Sequence, residues 1–599
     1  MENNKTIPIF LACDDNYVKF ALVTLKSIAC NANKDYTYNC YILNAGISEE
    51  TMNRTKGLLP DNFNLFFPDV TDYYESIKDR LPVRHYYSKT TYFRFFIAEM
   101  FPEYDKAIYI DSDTVVLGDI SELYNHELGN NLVGACQEQA IIQTKIYGDY
   151  VETVTGVSRN EYFNAGLLLI NSKLFREECI LDQFIDLLDL YNFVIIQDED
   201  YLNVMCNHRV TWIDNSWNTE IYGEIKYKDE DINMIHYLMW NKPWHFDNIR
   251  LQNYFWHYAK MTCYYDDIKS ILDNYTDEQR DNDLKSAANL FVMAENEINR
   301  NDSYFKLLNE GKIKRKSLDR LQVQKKIRDL EKAGIFDQDV EQDPPSKELL
   351  PDEIDYERKS VKSKIKTRYA YFIARKFLNK MVREDQIIIK EVKGIENIQG
   401  LDTGAILTCN HFNAFDSFAI QVAYEESIKT KKERKKKKFF RVIREGNYTS
   451  YSGFYGFLMR NCYTLPLSSN AKTMAKFMRS MNNLLKQGHL VLVYPEQSMW
   501  WNYRKPKPLK EGAYKFAVAA NVPVVPCFIT MKDTDKIGTD GYPIQEYTIH
   551  ISKPIYPDPN KSKIDNVKYI MDENYRVWKD IYESVYHVKL EYTTKEARA

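Results

Sequence analysis

Two groups of residues in this chain have the types and spacing to do chemistry. Asp111-Ser112-Asp113 closes the apolar run Ala107-Ile108-Tyr109-Ile110. Paired carboxylates at the end of a buried strand suit a hard divalent cation, Mg2+ or Mn2+, which prefers oxygen ligands and would neutralise a substrate diphosphate. Much further on, Asn410-His411 is followed by Asp416 and later by Tyr494-Pro495-Glu496. A hydroxyl attacks a thioester or acyl phosphate poorly until a base removes its proton, and histidine suits that task near neutral pH. A carboxylate on the other ring nitrogen fixes the tautomer and stabilises the imidazolium. His411 and Asp416 are spaced to meet across a strand-to-helix turn. A lone D-x-D or H-x4-D is common on surface loops, so the surrounding elements have to decide.

Those elements read as α/β twice over. From the start to about residue 260, short apolar runs alternate with helical stretches; Ile7–Cys13, Tyr38–Leu43, Ala107–Ile110 and Gly166–Ile170 read as buried strands of a largely parallel sheet. Ligands of such sheets bind beyond the carboxyl ends of the strands. Asp14-Asp15-Asn16-Tyr17 and Asp111-Ser112-Asp113 both follow such runs, so they are expected on one rim. Residues of roughly 265–335 read as a charge-rich helical connector, and Asp337–Glu357, with Asp343-Pro344-Pro345, as an exposed acidic linker. A second α/β pattern follows, with strand candidates Ala405–Thr408, Leu490–Tyr494 and Val522–Thr530.

Charge reverses between the two patterns. Arg358–Arg383 is rich in Lys and Arg without an acid, and Ile365, Tyr369, Phe372, Ile373 and Phe377 recur at near-helical spacing. Two readings are open: a basic amphipathic helix on a membrane surface, or a helix packing this stripe onto its own domain. The run Lys429–Lys438 is read as a solvated loop, with attraction to anionic lipid as the alternative.

The whole chain sets bounds. Its 599 residues exceed a single core, which stops growing near roughly 250–300 residues. A hydrophobic share of 44% with 45 tyrosines and 30 phenylalanines excludes general disorder. A net charge of -5 gives no case for nucleic acid. The cysteines are scattered without a C-x-x-C pair, which speaks against a zinc site or disulfide framework and suits a reducing cytosol. The N-terminus does not read as a signal peptide, and no apolar run reaches the roughly 18 residues of a spanning helix. Any membrane contact is therefore expected to be peripheral, on the inner face of the cell membrane, with the protein cytoplasmic.

Around the first carboxylate pair the sequence resembles glycosyltransferase family 8, retaining enzymes of GT-A fold. Six ordered blocks carry the resemblance: Phe10–Tyr17; Ser88–Phe95 with Tyr92 and Arg94; Asp111–Thr114; Phe163-Asn164-Ala165-Gly166 through Asn171; Gln197–Asn203; and His236 with Lys242-Pro243-Trp244. The resemblance implies that Asp111, Asp113 and His236 hold Mn2+ (or Mg2+). It puts Asp14, Asn16 and Tyr17 on uridine, with Ala12 also against the substrate. Lys242 is implied on the diphosphate, and Arg94, Asn164 and Asp198 around the donor sugar, the last two as catalytic residues. Two departures stand out. Met239 replaces a usual glycine, which would move the backbone away from the phosphate, and Glu199 replaces a glutamine near the reacting carbon. Retention by a covalent intermediate and by same-face attack both stay open.

Residues of about 390–560 resemble the glycerolipid acyltransferases typified by 1-acylglycerol-3-phosphate acyltransferases. Asn410-His411 to Asp416 matches the first block, Gly453–Leu467 with Gly456 and Arg460 loosely the second, and Val491–Glu496 the third. Lys510–Ala513, Val522–Pro526 and Ile551–Ile555 match the last blocks. The resemblance implies His411, Asp416 and Glu496 as the catalytic set. Gln497-Ser498-Met499-Trp500-Trp501 stands where the family reads G-T-R-S, and Leu467-Ser468 where it has a phosphate-binding arginine. Arg460, Arg504, Lys505, Lys507 or Lys510 are the substitutes on offer, with Arg460 taken as substrate-binding; the other reading is an acceptor other than lysophosphatidic acid. Trp500 and Trp501 are expected at the lipid interface or on substrate rather than in the core.

The expected architecture is α/β: a GT-A (Rossmann-like) domain over 1–264, a helical connector and acidic linker over 265–357, and an acyltransferase-like domain over 358–599. The expected function is bifunctional. It pairs metal-dependent retaining hexosyl transfer from a UDP-sugar with O-acyl transfer from acyl-ACP or acyl-CoA to a lysolipid or glycan hydroxyl, in envelope glycolipid or glycan assembly. An anionic membrane surface is the expected partner. The alternative is an active glycosyltransferase whose acyltransferase-like domain is silent and only docks on membrane.

Overall fold

The computed structural model describes residues 5–81, 89–341, 345–428 and 430–594, and only the backbone of Lys431 and Lys435. Ser88, Asp343-Pro344 and Lys429, all in motifs read above, lie outside the described residues. The chain divides into two units, Met1–Leu321 and Gln322–Ala599.

In the first unit the described strands are β1 (Thr6–Ala12), β2 (Thr37–Leu43), β3 (Phe63–Phe66), β4 (Ala107–Ile110), β5 (Thr114–Val116), β6 (Val133–Gln137), β7 (Phe163–Ile170), β8 (Val210–Trp212), β9 (Thr219–Glu220) and β10 (Met234–His236). Seven form one sheet in the order β3-β2-β1-β4-β7-β6-β8, and β5-β10-β9 form a small second sheet. The expected runs are all strands. β4 and β7 are buried throughout, because the sheet is covered on both faces. Alternate residues feed two cores: Tyr109 and Leu168 enter one, Ile108, Ile110, Leu167 and Leu169 the other.

The sheet is parallel across β3-β2-β1-β4 but β7 runs antiparallel to both β4 and β6. This reversal matters for the site. β7 begins, rather than ends, at the carboxyl rim of β4, so Gly166 comes level with Asp111 and Asn164 lies just beyond it; the Asp111 N–H donates to the Gly166 carbonyl at 2.8 Å. Helix α1 (Val18–Asn31) follows β1, and its Thr24 hydroxyl donates to the Ser112 and Thr114 carbonyls at 3.2 and 2.8 Å, fixing the turn that bears Asp111 and Asp113. Helix α2 (Asp198–Cys206) lies against the start of β7, where Asn203 bonds Phe163 in both directions at 2.9 Å. The charge-rich stretch is helical as expected. Its segments at 277–299 and 304–309 add Ala294 and Tyr304 to the core of this unit.

The second unit opens within α3 (Leu318–Ala333). Its strands are β11 (Ile388–Lys393), β12 (Ala405–Thr408), β13 (Phe439–Ile443), β14 (Thr464–Pro466), β15 (Leu490–Val493), β16 (Val524–Ile537) and β17 (Pro543–Ile551), in the order β11-β17-β16-β12-β15-β13-β14. Among the described strands of this sheet, only β16 and β17 pair antiparallel. β12 and β15 are parallel neighbours with Thr408 opposite Val493, so the loops leaving them emerge side by side. Helices α4 (Val361–Arg383), α5 (Asp416–Ser427) and α6 (Gly453–Asn461) flank this sheet.

Three expectations change here. The stretch read as an exposed linker is anchored at four points: Val340, Leu349, Ile354 and Tyr356 are buried, while Asp337, Gln338 and residues 345–348 are exposed as expected. Trp500 is not at an interface but fully buried, its indole stacked on Phe336 and donating to the Gln338 carbonyl at 2.7 Å; Trp501 is also buried. The lysine-rich run is not a loop throughout; Lys431–Lys436 is helical behind a capping box of Thr430 and Glu433. Helix α4 packs by Ala370 against Leu458 and Cys462 and by Phe377 against Phe415 and Phe454. The rest of its apolar stripe faces outward, with Ile365 65%, Tyr369 59% and Phe372 67% exposed. No helix among the described residues is long and apolar enough to cross a membrane.

Candidate active sites

The first site is built on the rim of β1, β4 and β7. Asp111, Asp113 and His236 each bring one ligand atom to within 4.8 Å of the others. β10 delivers His236 by pairing with β5 directly behind the Asp113 turn. Asn218 faces His236 Nδ1 at 3.1 Å, which frees Nε2 for a metal, and Asn218 in turn donates to Asn164 Oδ1 at 2.8 Å. Asp113 Oδ1 is buried and accepts no hydrogen bond. A buried carboxylate oxygen without a donor, beside an imidazole nitrogen and a second carboxylate, fits a divalent cation. Gly166 makes the convergence possible, since a Cβ there would come within 2.3 Å of the His236 ring and 2.9 Å of Asp111.

Charge balance at this site is tight. Burial raises the Asp113 carboxyl, but Lys242 and His236 outweigh it and hold it well below the usual range. Lys242 pairs with Asp113 and donates to the Tyr237 carbonyl at 2.5 Å. Met239, three residues before it, takes φ 51°. Methionine here adopts the left-handed conformation that glycine favours, at a cost in strain.

Arg94 links the carboxylates of Asp111 and Asp198. Its Nη2 donates to Asp111 at 3.0 Å, its Nε lies 3.2 Å from Asp198, and the guanidinium stacks on Tyr109. Asn164 donates to Glu138 and accepts from the Gly166 N–H. Glu199 accepts from the Ala165 N–H at 2.7 Å, and its other oxygen is buried without a hydrogen-bond partner. Burial, then the charge of Glu138, pushes the Glu199 and Glu220 carboxyls far above their ordinary range. Asp200 is clasped by the Tyr150 and Tyr162 hydroxyls at 2.8 Å, and burial raises it to about 7. At the outer edge Asp14 caps the Tyr17 N–H at 3.0 Å, Asp14 and Asn16 are exposed, and Ala12 ends β1. The Tyr17 ring meets Trp244 edge-on, and its hydroxyl is raised by burial and then by Asp113, Asp111 and Asp14.

The second site stands on the loops after β12 and β15. His411 Nδ1 lies 2.8 Å from Asp416 Oδ2, which also accepts the Phe412 and Asn413 N–H groups; Asp416 Oδ1 accepts the Tyr494 hydroxyl at 2.6 Å. The imidazole stacks on Tyr494 with ring centres 4.1 Å apart. Its side chain is 25% exposed while that of Asp416 is 1% exposed, so the base is reachable and its partner is not. Glu496 takes the His411 N–H at 3.0 Å and the Lys507 N–H at 2.9 Å. It is thus a brace for the His411 loop. Burial raises its carboxyl, against Lys507. Asn410 bonds Ile529 in both directions and ties the loop to β16.

The candidate anion-binding cations are already engaged. Arg460 donates to the Tyr448 and Tyr451 carbonyls, Arg504 to Asp533, Lys505 to Glu331, Lys507 to Ser498, and Lys510 lies 3.0 Å from Asp337. Gln497, in the glycine position of G-T-R-S, takes φ 62°, and its carbonyl accepts from Arg444. Sequence reasoning missed Asn218, Glu138 and the bracing role of Lys507. Nothing in their local sequence marks them: Asn218 and Glu138 act through partners distant in the chain, and Lys507 folds back onto the same loop.

A model of glycosyl transferase family 8 matches residues 8–248, and an acyltransferase model matches residues 390–530. A Haemophilus influenzae protein named as a glycosyltransferase is 30% identical over 252 residues, 40% of this chain and 74% of that one. The lipopolysaccharide 1,3-galactosyltransferase of Salmonella typhimurium is 30% identical over 178 residues, 28% of this chain and 52% of that one. Among solved structures, the galactosyltransferase LgtC with donor and acceptor sugar analogs is 27% identical, covers 43% of this chain and 96% of that one, and has a TM-score of 0.38.

Proposed function

From the premise that this chain belongs to glycosyltransferase family 8 and carries an acyltransferase domain fused behind it, we propose that it joins a metal-dependent hexosyl transfer from a UDP-sugar to an O-acyl transfer from a thioester. The convergence of Asp111, Asp113 and His236 around an oxygen without a donor is the observation that carries the first half. A divalent ion held there would neutralise the charge that develops on the leaving diphosphate. Lys242, now paired with Asp113, would turn to that diphosphate, and Tyr17, Asp14, Asn16 and Ala12 would receive the uridine. Arg94, Asp198 and Asn164 would hold the hexose, which the galactosyltransferase relative suggests is galactose or an epimer.

The 2.8 Å contact between His411 and the buried Asp416 carries the second half. An acceptor hydroxyl at Nε2 would lose its proton to His411 as it attacks, and Asp416 would stabilise the imidazolium. An intact, partly exposed base disfavours the reading in which this domain only docks.

We place the second unit against an anionic membrane. Ile365, Tyr369 and Phe372 of α4 and Phe454 and Tyr455 of α6 are exposed among the basic residues of α4, a pairing of apolar and cationic surface that suits acidic lipid. Phe377 contacts Phe454, Tyr455 and Phe415, the residue before Asp416, so these rings continue the exposed aromatic surface toward the second site.

The test supplies the full chain with Mn2+ and a panel of UDP-hexoses, and separately with acyl thioesters, acceptors and liposomes. Asp111→Ala should abolish hexosyl transfer alone and His411→Ala acyl transfer alone. Transfer that survives its own substitution refutes that half of the reading.

A further inference from the structure

We propose that the hydroxyl presented to His411 belongs to an uncharged acceptor and not to a phosphomonoester, because the chain's own Asp337 and Asp339 already occupy the cations beside Glu496. This rests on the acyl-transfer reading. The loop after β15 borders the base closely: Glu496 takes the His411 N–H, and the Trp500 N–H donates to the His411 carbonyl at 3.1 Å. Tyr494, at the start of this loop, stacks on the imidazole itself, so the loop flanks the base that an acceptor must reach.

The cations and the backbone donor that border that loop are spent internally, Arg444 reaching it from the end of β13. Arg444, which donates to the Gln497 carbonyl, is ion-paired with Asp339. The Met499 N–H, the kind of backbone donor an anion would use, donates to the other Asp339 oxygen at 2.8 Å. Lys510 is paired with Asp337. Lys507 is buried and donates to Ser498 Oγ and the Ser498 carbonyl at 2.9 and 2.7 Å, with Glu496 at 3.5 Å.

The two aspartates are not on a strap free to swing away. Their segment is pinned where the Ser498 hydroxyl donates to the Phe336 carbonyl at 2.6 Å and where the buried Trp500 indole donates to the Gln338 carbonyl. A phosphomonoester, with roughly two negative charges, would have to expel a fixed carboxylate from its cation or lie among like charges, which repel it. A sugar or glyceride hydroxyl brings no such charge. In the step, the ester C–O bond forms as the acyl C–S bond breaks. The hydroxyl proton passes to His411 Nε2 and from there to the departing thiolate.

The test gives the full chain a long-chain acyl thioester and, in separate arms, 1-acylglycerol 3-phosphate, the monoacylglycerol that lacks the phosphate, and a hexosyl diacylglycerol. Ester formation should be at least tenfold faster with one of the uncharged acceptors, and the last two arms separate glyceride from sugar hydroxyl. Asp339→Asn, or Asp337→Asn should that variant not fold, should lower KM for the phosphorylated acceptor at least fivefold and leave the uncharged one unchanged. Faster reaction of 1-acylglycerol 3-phosphate with the unmodified chain, or equal effects of the substitution on both acceptors, overturns the inference and leaves acyl transfer standing. Ester formation in no arm overturns the acyl-transfer reading and the inference with it.

Discussion

Asp416→Asn separates the charge of the second site from its geometry. Asp416 accepts three donors on Oδ2, from His411 and the two N–H groups after it, and one hydroxyl on Oδ1. An asparagine can keep its oxygen on the three donors and turn its amide to Tyr494, whose hydroxyl is able to accept. The turn should therefore hold, with little loss of stability. What disappears is the ionic part of the bond to His411 at the moment the imidazole takes a proton. A hydrogen bond to a charged group contributes about 1.5–3 kcal/mol, and each ~1.4 kcal/mol is tenfold in rate. The acyl-transfer kcat should then fall roughly 10- to 150-fold. Acyl transfer is followed by chromatography of the ester, and hexosyl transfer by UDP release from the same preparation, which controls for folding. Acyl transfer within threefold of the unmodified chain would refute the role given to Asp416.

Removal of divalent ions with a chelator should abolish UDP-sugar turnover and spare acyl transfer, and His236→Ala should weaken metal rescue; turnover that persists without metal defeats the first site. Trp500→Ala should destabilise the second unit by about 3–5 kcal/mol in denaturant titration, as expected for emptying a buried aromatic site, whereas a loss below about 1 kcal/mol would mean the indole is not a core residue. Asp200 ionises near its ordinary 3.8 in the unfolded chain but near 7 when buried, so the folded state holds the extra proton and stability falls as pH rises from about 4 through 7. That difference is on the order of 4 kcal/mol, and Asp200→Asn should shrink the drop in melting temperature between pH 5 and pH 8; an unchanged drop would refute the assignment.

Much of both sites was legible because strand ends announce themselves. Ala107–Ile110 and Ala405–Thr408 are short, apolar and followed at once by their functional residues, and both became strands with those bounds. Direction was not legible: β7 reads like any buried strand, and only its antiparallel pairing explains why Asn164 leads at the rim. Trp500 was misread since an aromatic beside a catalytic loop looks the same in sequence whether lipid or Phe336 covers it. Met239 and Gln497 were legible in part. Each stands in a usual glycine position, and each keeps the left-handed backbone that the missing glycine would have made easy. The buried group of Glu138, Glu199 and Glu220 joins residues from three separate segments, and no local pattern predicts that.

The anchored stretch formed by residues 336–341 and 345–356 has a bearing on how such a chain is inherited. It looks like a tether in composition, yet Phe336 covers Trp500, and Leu349, Ile354 and Tyr356 line the core under β12 and β15. A recombination breakpoint at residue 358, where the charge changes sign, would sever the second enzyme from part of its own wall. The acyltransferase domain is thus complete only together with residues that look like spacer, and trimming them would uncover Trp500 and part of that core.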